Sequence, residues 1–333
     1  MEKPQPFLKT LTLSRKEFKK MSKNVLVVGS INVDYVINTE RLPKLGETIT
    51  GSNFTMNFGG KGANQAAALA KAGCTVKMLG AVGSDMSGEL AVQNLESYGI
   101  DTSSILRSDG ATGAAVITVC GGDNHIILDV GANGTITPGV IASNEHLFDW
   151  ADILVMQYEI PTESVLAAAK LAHEKGKMVI LNPAPVKEVT KELYQYIDLI
   201  IPNEFEAQLI TGITPDDNAS AKEVIDALCA LGCKNALVTL GINGCAYIVD
   251  GQVHYTGVYK VHAVDSTAAG DSFIGGLCAK ICEGLNMDDA VEYASATSAI
   301  AVSRPGAAIS IPVAAEVKEF MQNNKISKKA SLN

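Results

Sequence analysis

Short, almost wholly apolar runs recur along the chain, each closing on a polar or glycine-bearing turn. They are 25–28, 76–79, 153–156, 178–181, 199–201 and 236–240. Strands that lack polar alternation are buried on both faces, as in a parallel sheet covered by helices. Segments of helical period lie between them. One opens in the run Phe58-Gly59-Gly60-Lys61-Gly62-Ala63-Asn64-Gln65 and continues to Ala72, stopped by Gly73. Others span 88–98, with Ser84 and Asp85 as caps and Gly99 as stop, then 163–175, 272–282 and 288–303, the last ended by Arg304-Pro305-Gly306. The repeat of strand, turn and helix predicts a doubly wound α/β fold. Two regions break the pattern. Residues 49–58, and 115–120 with 125–129 around Gly121-Gly122-Asp123-Asn124, alternate and carry a hairpin signal, which suits a flap or lid over a site. Residues 253–264 read as β-rich, and 307–311 as extended.

Composition narrows the function. With 333 residues, 47% of them hydrophobic, the chain can bury a large core, and its net charge of −9 argues against electrostatic binding of nucleic acid. No apolar run approaches the length of a membrane span, so no membrane association is expected. Seven cysteines, odd in number and without a C-x-x-C pair, read as reduced thiols of a cytoplasmic protein. Residues 1–22 are basic, lack an apolar signal core and read as a disordered or expression-derived tail. Residues 23–320 show no repeat or linker and form a single expected domain, followed by a tail at 321–333.

In a doubly wound sheet, ligands bind beyond the carboxyl ends of the strands. Asn32, Asp34, Glu159, Asn182, Asn203, Glu206, Thr239 and Asp271 all fall there. The stretch Asp265-Ser266-Thr267-Ala268-Ala269-Gly270-Asp271 precedes a helix. Its small residues let backbone N–H groups approach an anion at the helix N-terminus, and Asp271 stands beside them as a candidate base or a simple cap. Asn32 and Asp34, two apart, share a face of an extended segment and suit vicinal hydroxyls. Lys61 and Asn64 open a helix within a run holding three glycines, Gly59, Gly60 and Gly62, but the Ser or Thr of a Walker A loop is missing. Gly29 is likewise not followed by the dinucleotide fingerprint, which disfavours a dinucleotide-dependent oxidoreductase. Asn203 and Glu206, three apart where a strand passes into a helix, can cap that helix or hold waters on Mg²⁺. Thr239-Leu240-Gly241-Ile242-Asn243-Gly244 is a turn where nucleotide phosphates can approach the backbone, or a plain β-turn.

Four signatures, Gly29 to Asp34, Gly59 to Ala66, Pro202 to Glu206 and Asp265 to Asp271, stand in the order found in the ribokinase family of sugar kinases, which the chain resembles over about 24–320. The resemblance implies a Rossmann-like three-layer α/β/α domain. It also implies a small β-sheet lid, drawn from about 33–60 and 107–135, that often forms a homodimer contact. The implied reaction is phosphorylation of a pentose, D-ribose at O5, by ATP. Asp271 is implied as the base, and Ala268, Ala269 and Gly270 as the anion hole. Asn32, Asp34, Gly60, Lys61, Asn64 and Glu159 are the implied sugar set. Asn203 and Glu206 are implied for Mg²⁺ and phosphate, Thr239, Gly241 and Gly244 for ATP, and Ser295 near the adenine. Activation by K⁺ or another monovalent cation is implied through Asp265 and Ser310, with carbonyls of Thr267, Ala301, Arg304 and Gly306. Ser266 departs from the commoner Thr but keeps a hydroxyl. A family kinase acting on deoxyribose, fructose or a nucleoside remains an alternative, as does a non-catalytic sugar-binding regulator.

Overall fold

A computed structural model describes residues 24–121 and 123–327. The expected tail at 1–22, Gly122 of the hairpin turn, and positions 328–333 of the C-terminal tail lie outside the described residues.

The first strand, β1 (Asn24–Val28), divides its side chains between two cores: Val25 and Val27 enter one, Leu26 and Val28 the other. In chain order there follow β2 (Asn32–Thr39), β3 (Ser52–Gly59), α1 (Lys61–Lys71), β4 (Thr75–Leu79), β5 (Ala81–Gly83), α2 (Met86–Ser97), β6 (Leu106–Ser108), β7 (Gly113–Cys120) and β8 (Asp123–Asp129). The second half comprises α3 (Pro138–Ser143), α4 (Glu145–Trp150), β9 (Ile153–Met156), α5 (Thr162–Glu174), β10 (Met178–Leu181), β11 (Leu199–Ile200), α6 (Glu204–Thr211) and α7 (Asn218–Ala230). It ends with β12 (Leu237–Thr239), β13 (Cys245–Val249), β14 (Gln252–Thr256), α8 (Ala269–Glu283), α9 (Met287–Val302) and α10 (Ala314–Asn323).

Five strands form a parallel sheet in the order β11-β10-β9-β1-β4. Parallel bridges from Ile200 to Ala236 and from Asn203 to Thr239 lead on to the antiparallel set β12-β13-β14. Phe273, Leu277 and Met287 of α8 and α9 pack with α1 on one face, while Phe148, Val165 and Leu228 of α4, α5 and α7 cover the other. The fold is therefore the three-layer α/β/α arrangement expected. A separate four-stranded sheet, β3-β2-β7-β8, supplies the small second sheet, with β2 parallel to β7 and antiparallel to β3.

Three local expectations change. The strand expected over 253–264 ends at Thr256. Helix α8 begins at Ala269 rather than Ser272, because Ala268 takes a left-handed conformation and its carbonyl accepts both the N–H and the hydroxyl of Ser272. Residues 307–311 form turns instead of an extended run. Ser310 bonds back to the Ala307 carbonyl, and Lys71 Nζ draws in the carbonyls of Ala308 (2.7 Å) and Ile311 (2.9 Å). Helix α10 runs past residue 320 to Asn323, and Ser327 is fastened to Val258.

The central strands rest on close packing at both faces, so a cavity there is costly. Leu154→Ala, at a fully buried position of β9, is expected to destabilise the protein by about 2–5 kcal/mol. The measurement is urea denaturation, with a lower midpoint and an unchanged slope.

Candidate active site

Helices α1 and α8 run side by side. A Cβ at Gly275 would lie 2.3 Å from the Ala68 methyl, so nothing larger than that methyl stands between the two backbones. One turn earlier on each helix, Asn64 Nδ2 donates to Asp271 Oδ2 at 3.1 Å, and Gln65 Nε2 donates to Oδ1 at 2.9 Å. Asp271 is buried and lines a cleft of about 160 Å³ with Lys61, Asn182, Asn203, Glu206, Thr239 and the turn Ala268-Ala269-Gly270. Burial pushes its carboxyl above the ordinary carboxylate range, while Lys61 and the two amides oppose that shift. For Lys61, burial favours the neutral amine, but Asp271, Glu159 and Glu206 more than offset it and hold the ammonium above its usual range.

The turn that opens α8 sets the positive end of a helix at this cleft. Ala268 has φ 57°, and the first N–H groups of a fifteen-residue helix have no intrahelical carbonyl partner. No atom lies within 4 Å of where a Cβ on Gly270 would stand, so the glycine borders open space.

A second polar group adjoins the first. Glu159 Oε2 accepts from Ser30 Oγ (2.5 Å), the Lys61 N–H (2.9 Å) and Asn32 Nδ2 (3.5 Å). Asn32 is oriented by Asn133, whose Nδ2 donates to its Oδ1 at 2.7 Å. Burial, then the charge of Glu159, raises the Asp34 carboxyl to about 6. Gly59 must lack a side chain because a Cβ there would stand 2.3 Å from Asp34 Oδ2, and Gly60 enters α1 at φ 88°. Asn64 Oδ1 is buried with no hydrogen-bond partner, an acceptor suited to a ligand hydroxyl.

Asn203 and Glu206 form a reciprocal cap on α6: Asn203 Oδ1 accepts the Glu206 N–H (2.7 Å), and Glu206 Oε2 accepts the Asn203 N–H (2.9 Å). Both also line the cleft. Burial raises the Glu206 carboxyl despite the Asn203 N–H and Lys61. No cluster of three or more His, Cys, Asp or Glu that could hold a metal occurs among the described residues. The cleft's two carboxylates, Asp271 and Glu206, with its amides, fit an ion such as Mg²⁺, which keeps waters and takes phosphate oxygens. Thr239 reaches the cleft lining, whereas Gly241 and Gly244 shape the short turn behind it and Ser295 is buried on α9 outside the lining.

Asp265 ties two loops together, accepting the Thr267 N–H on Oδ1 and the Gly306 N–H on Oδ2, each at 2.9 Å. Its burial is outweighed by these bonds, and its carboxyl lies below the ordinary range. Ala301 already accepts the Arg304 N–H, the Arg304 side chain bonds Glu316, and Ser310 donates to Ala307. The structure thus joins Asp265, Thr267 and Gly306 directly, with Arg304 and Ser310 in the segment that carries Gly306 and Ala301 in the last turn of α9.

Gln65 and Gln157 had no role in the sequence reading, nor did Ser30 and Asn133. Gln157 directly follows the β9 run, the same strand-end signal that singled out Asn182, and Gln65 lies inside a signature already noted. A larger cavity, about 450 Å³, opens beside α5, but its carboxylates Glu163 and Glu188 are exposed and gather no such constellation.

Residues 22–314 match the pfkB family of carbohydrate kinases. The chain belongs to that family and is a sugar kinase. It is 38% identical to the ribokinase of Haemophilus influenzae over 91% of this chain and all of that one. Its fold matches the crystal structure of ribokinase from Thermotoga maritima with a TM-score of 0.81 at 35% identity, covering 90% of this chain and 99% of that one. It matches Arabidopsis thaliana ribokinase complexed with ribose and ATP with a TM-score of 0.86 at 31% identity, again over 90% and 99%.

The Asp34 shift has a measurable consequence. In the fold its carboxyl is raised to about 6, against 3.8 for an unperturbed aspartate. Folding therefore takes up a proton in that window, and the stability owed to this group falls as pH rises through it. Asp34→Asn is expected to melt higher than the parent at pH 7, by a margin on the order of 2 kcal/mol in stability that shrinks toward pH 4. Thermal melts of both proteins across that range provide the check.

Proposed function

We propose that this chain transfers the γ-phosphoryl group of ATP to O5 of D-ribose, giving ribose 5-phosphate and ADP. The observation that carries the reading is the buried Asp271 carboxylate, held by two amide N–H groups at the start of α8 and flanked by Lys61 and Glu206. The ribokinase relatives, one solved with ribose and ATP, support the substrate pair.

In this mechanism Asn32, Asp34, Gly60, Asn64 and Glu159 bind the sugar hydroxyls, and Lys61 adds a positive charge beside them. Asp271 accepts the proton of the attacking hydroxyl. In a largely dissociative transfer the hydroxyl loses that proton late, so a carboxylate of modest basicity suffices. Backbone N–H groups of Ala268, Ala269 and Gly270 stabilise charge on the transferring group, together with the α8 dipole. Thr239 and the Gly241–Gly244 turn take the nucleotide phosphates, with Ser295 toward the adenine. Mg²⁺, bound with ATP, neutralises phosphate charge, and Glu206 and Asn203 would hold it through water. Asp265, Thr267, Ala301, Arg304, Gly306 and Ser310 would hold K⁺ or a similar ion, which fixes the loop leading to the anion-binding turn without touching ATP. The face of the small sheet opposite Asp34 exposes Phe54, Met56, Val116 and Ile127, apolar surface suited to a homodimer. We assign the protein to the cytoplasm.

ADP release with ribose, deoxyribose, fructose and nucleosides tests the reading: turnover should be highest with ribose, and sugar binding without ADP release would mark a regulator instead. Asp271→Asn is expected to lower kcat about 10²–10⁴-fold with the fold intact. Wild-type turnover in that variant would remove Asp271 from the chemistry. Replacing K⁺ by Na⁺ should slow the enzyme, and equal rates in the two buffers would dismiss the cation site.

A further inference from the structure

Behind Asp271 lies a chain of side-chain amides with a fixed direction. Asn182 Nδ2 donates to the backbone carbonyl of Ile201 at 3.0 Å, a partner that can only accept. Asn182 Oδ1 therefore faces Gln65 and accepts from its Nε2 at 3.2 Å, while the same Nε2 donates to Asp271 Oδ1 at 2.9 Å. With both of its N–H bonds engaged, Gln65 turns its Oε1 the other way, and Gln157 Nε2 donates to it at 2.5 Å. Gln65 and Gln157 are fully buried.

Gln157 meets this demand at its own cost. Its Oε1 is buried with no hydrogen-bond partner, and it lies 2.2 Å from where a Cβ on Gly29 would stand. A buried acceptor without a donor is unfavourable. The opposite orientation is worse, since it would set two amide oxygens against each other across the 2.5 Å contact. Gln157 thus faces as Gln65 requires, and Gln65 as Asp271 requires.

We propose that Gln157 is a positioning residue for phosphoryl transfer: through Gln65 it fixes the amide N–H that the Asp271 carboxylate accepts, and so the direction in which that carboxylate meets the sugar hydroxyl. The proposal rests on Asp271 being the base. The other charges facing Asp271 are Lys61 from α1, Glu159 from the β9–α5 connection and Glu206 from α6.

The test uses the full chain with ATP, Mg²⁺ and D-ribose, following ADP release from pH 5.5 to 8.5 for the parent, Gln157→Glu, Gln157→Met and Asp271→Asn. A carboxyl introduced at 157 donates to Gln65 Oε1 when protonated. When ionised it repels that oxygen and drives the Gln65 amide to turn its carbonyl toward Asp271. The kcat of Gln157→Glu relative to the parent is expected to fall roughly tenfold or more from the acid to the alkaline end, with KM for both substrates within about threefold. Gln157→Met lacks a titrating group and should show a lowered kcat with a pH-independent deficit. A Gln157→Glu ratio that stays flat across pH, or a loss confined to KM, overturns the proposal. If Gln157→Glu does not fold, Gln157→Met decides: parental kcat overturns the proposal, and lowered kcat at parental KM upholds it. Parental kcat in Asp271→Asn overturns the base assignment itself, an outcome distinct from a failure at Gln157 alone.

Discussion

The contact between Gly275 of α8 and Ala68 of α1 governs the geometry of the cleft. Because only the Ala68 methyl separates the two backbones there, the helices run together, and one turn back Asn64 and Gln65 meet Asp271. Their N-termini consequently open on the same space. Helix α6 begins at its rim, with Asn203 and Glu206 on the lining. The three starts differ in what they leave free: the first N–H groups of α1 are taken by Glu159 and Ser30, and the Glu206 N–H of α6 by Asn203, so the positive end of α8 is where, in our reading, an anion docks.

That polarity balances an acidic interior. Lys61 faces Asp271, Glu159 and Glu206, and burial acts against the charges of Lys61, Asp271 and Glu206. A cluster of one ammonium and three carboxylates is tolerable because its members are tied to fixed donors: amides at Asp271, a backbone N–H and a hydroxyl at Glu159, and the reciprocal cap at Glu206. In our reading the same ties prepare the site for a substrate that brings its own negative charge and metal ion.

The buried strands and glycine punctuation made the layered fold legible, since an apolar run of strand length between helical segments has few other solutions. The strand-end polar row was legible for the same reason, and Lys61, Asn203, Glu206, Thr239 and Asp271 do converge. What could not be read was set by contacts distant in sequence. Residues 307–311 looked extended because their neighbours do not show that Lys71 would draw two of their carbonyls into a turn. The early start of α8 depends on the left-handed backbone of Ala268, which an alanine does not advertise. Gln157 was marked only by its place at the end of the β9 run, and the hydrogen bond that ties it to Gln65 of α1 joins residues 92 positions apart.

Asn32 and Asp34 lie on β2, a strand of the small sheet, separated from β1 of the main sheet by only Gly29, Ser30 and Ile31. Lys61, Asn64 and Asp271 belong to the helical layer of the main body. The groups assigned to the sugar are thus shared between the small sheet and the main body, so in our reading the sheet supplies part of the sugar's contacts rather than a cover laid over a finished pocket. On that assignment, sugar affinity and the position of the sheet become one thermodynamic variable: a state that tilts the sheet away would take Asn32 and Asp34 with it, and a bound sugar would fasten the two together.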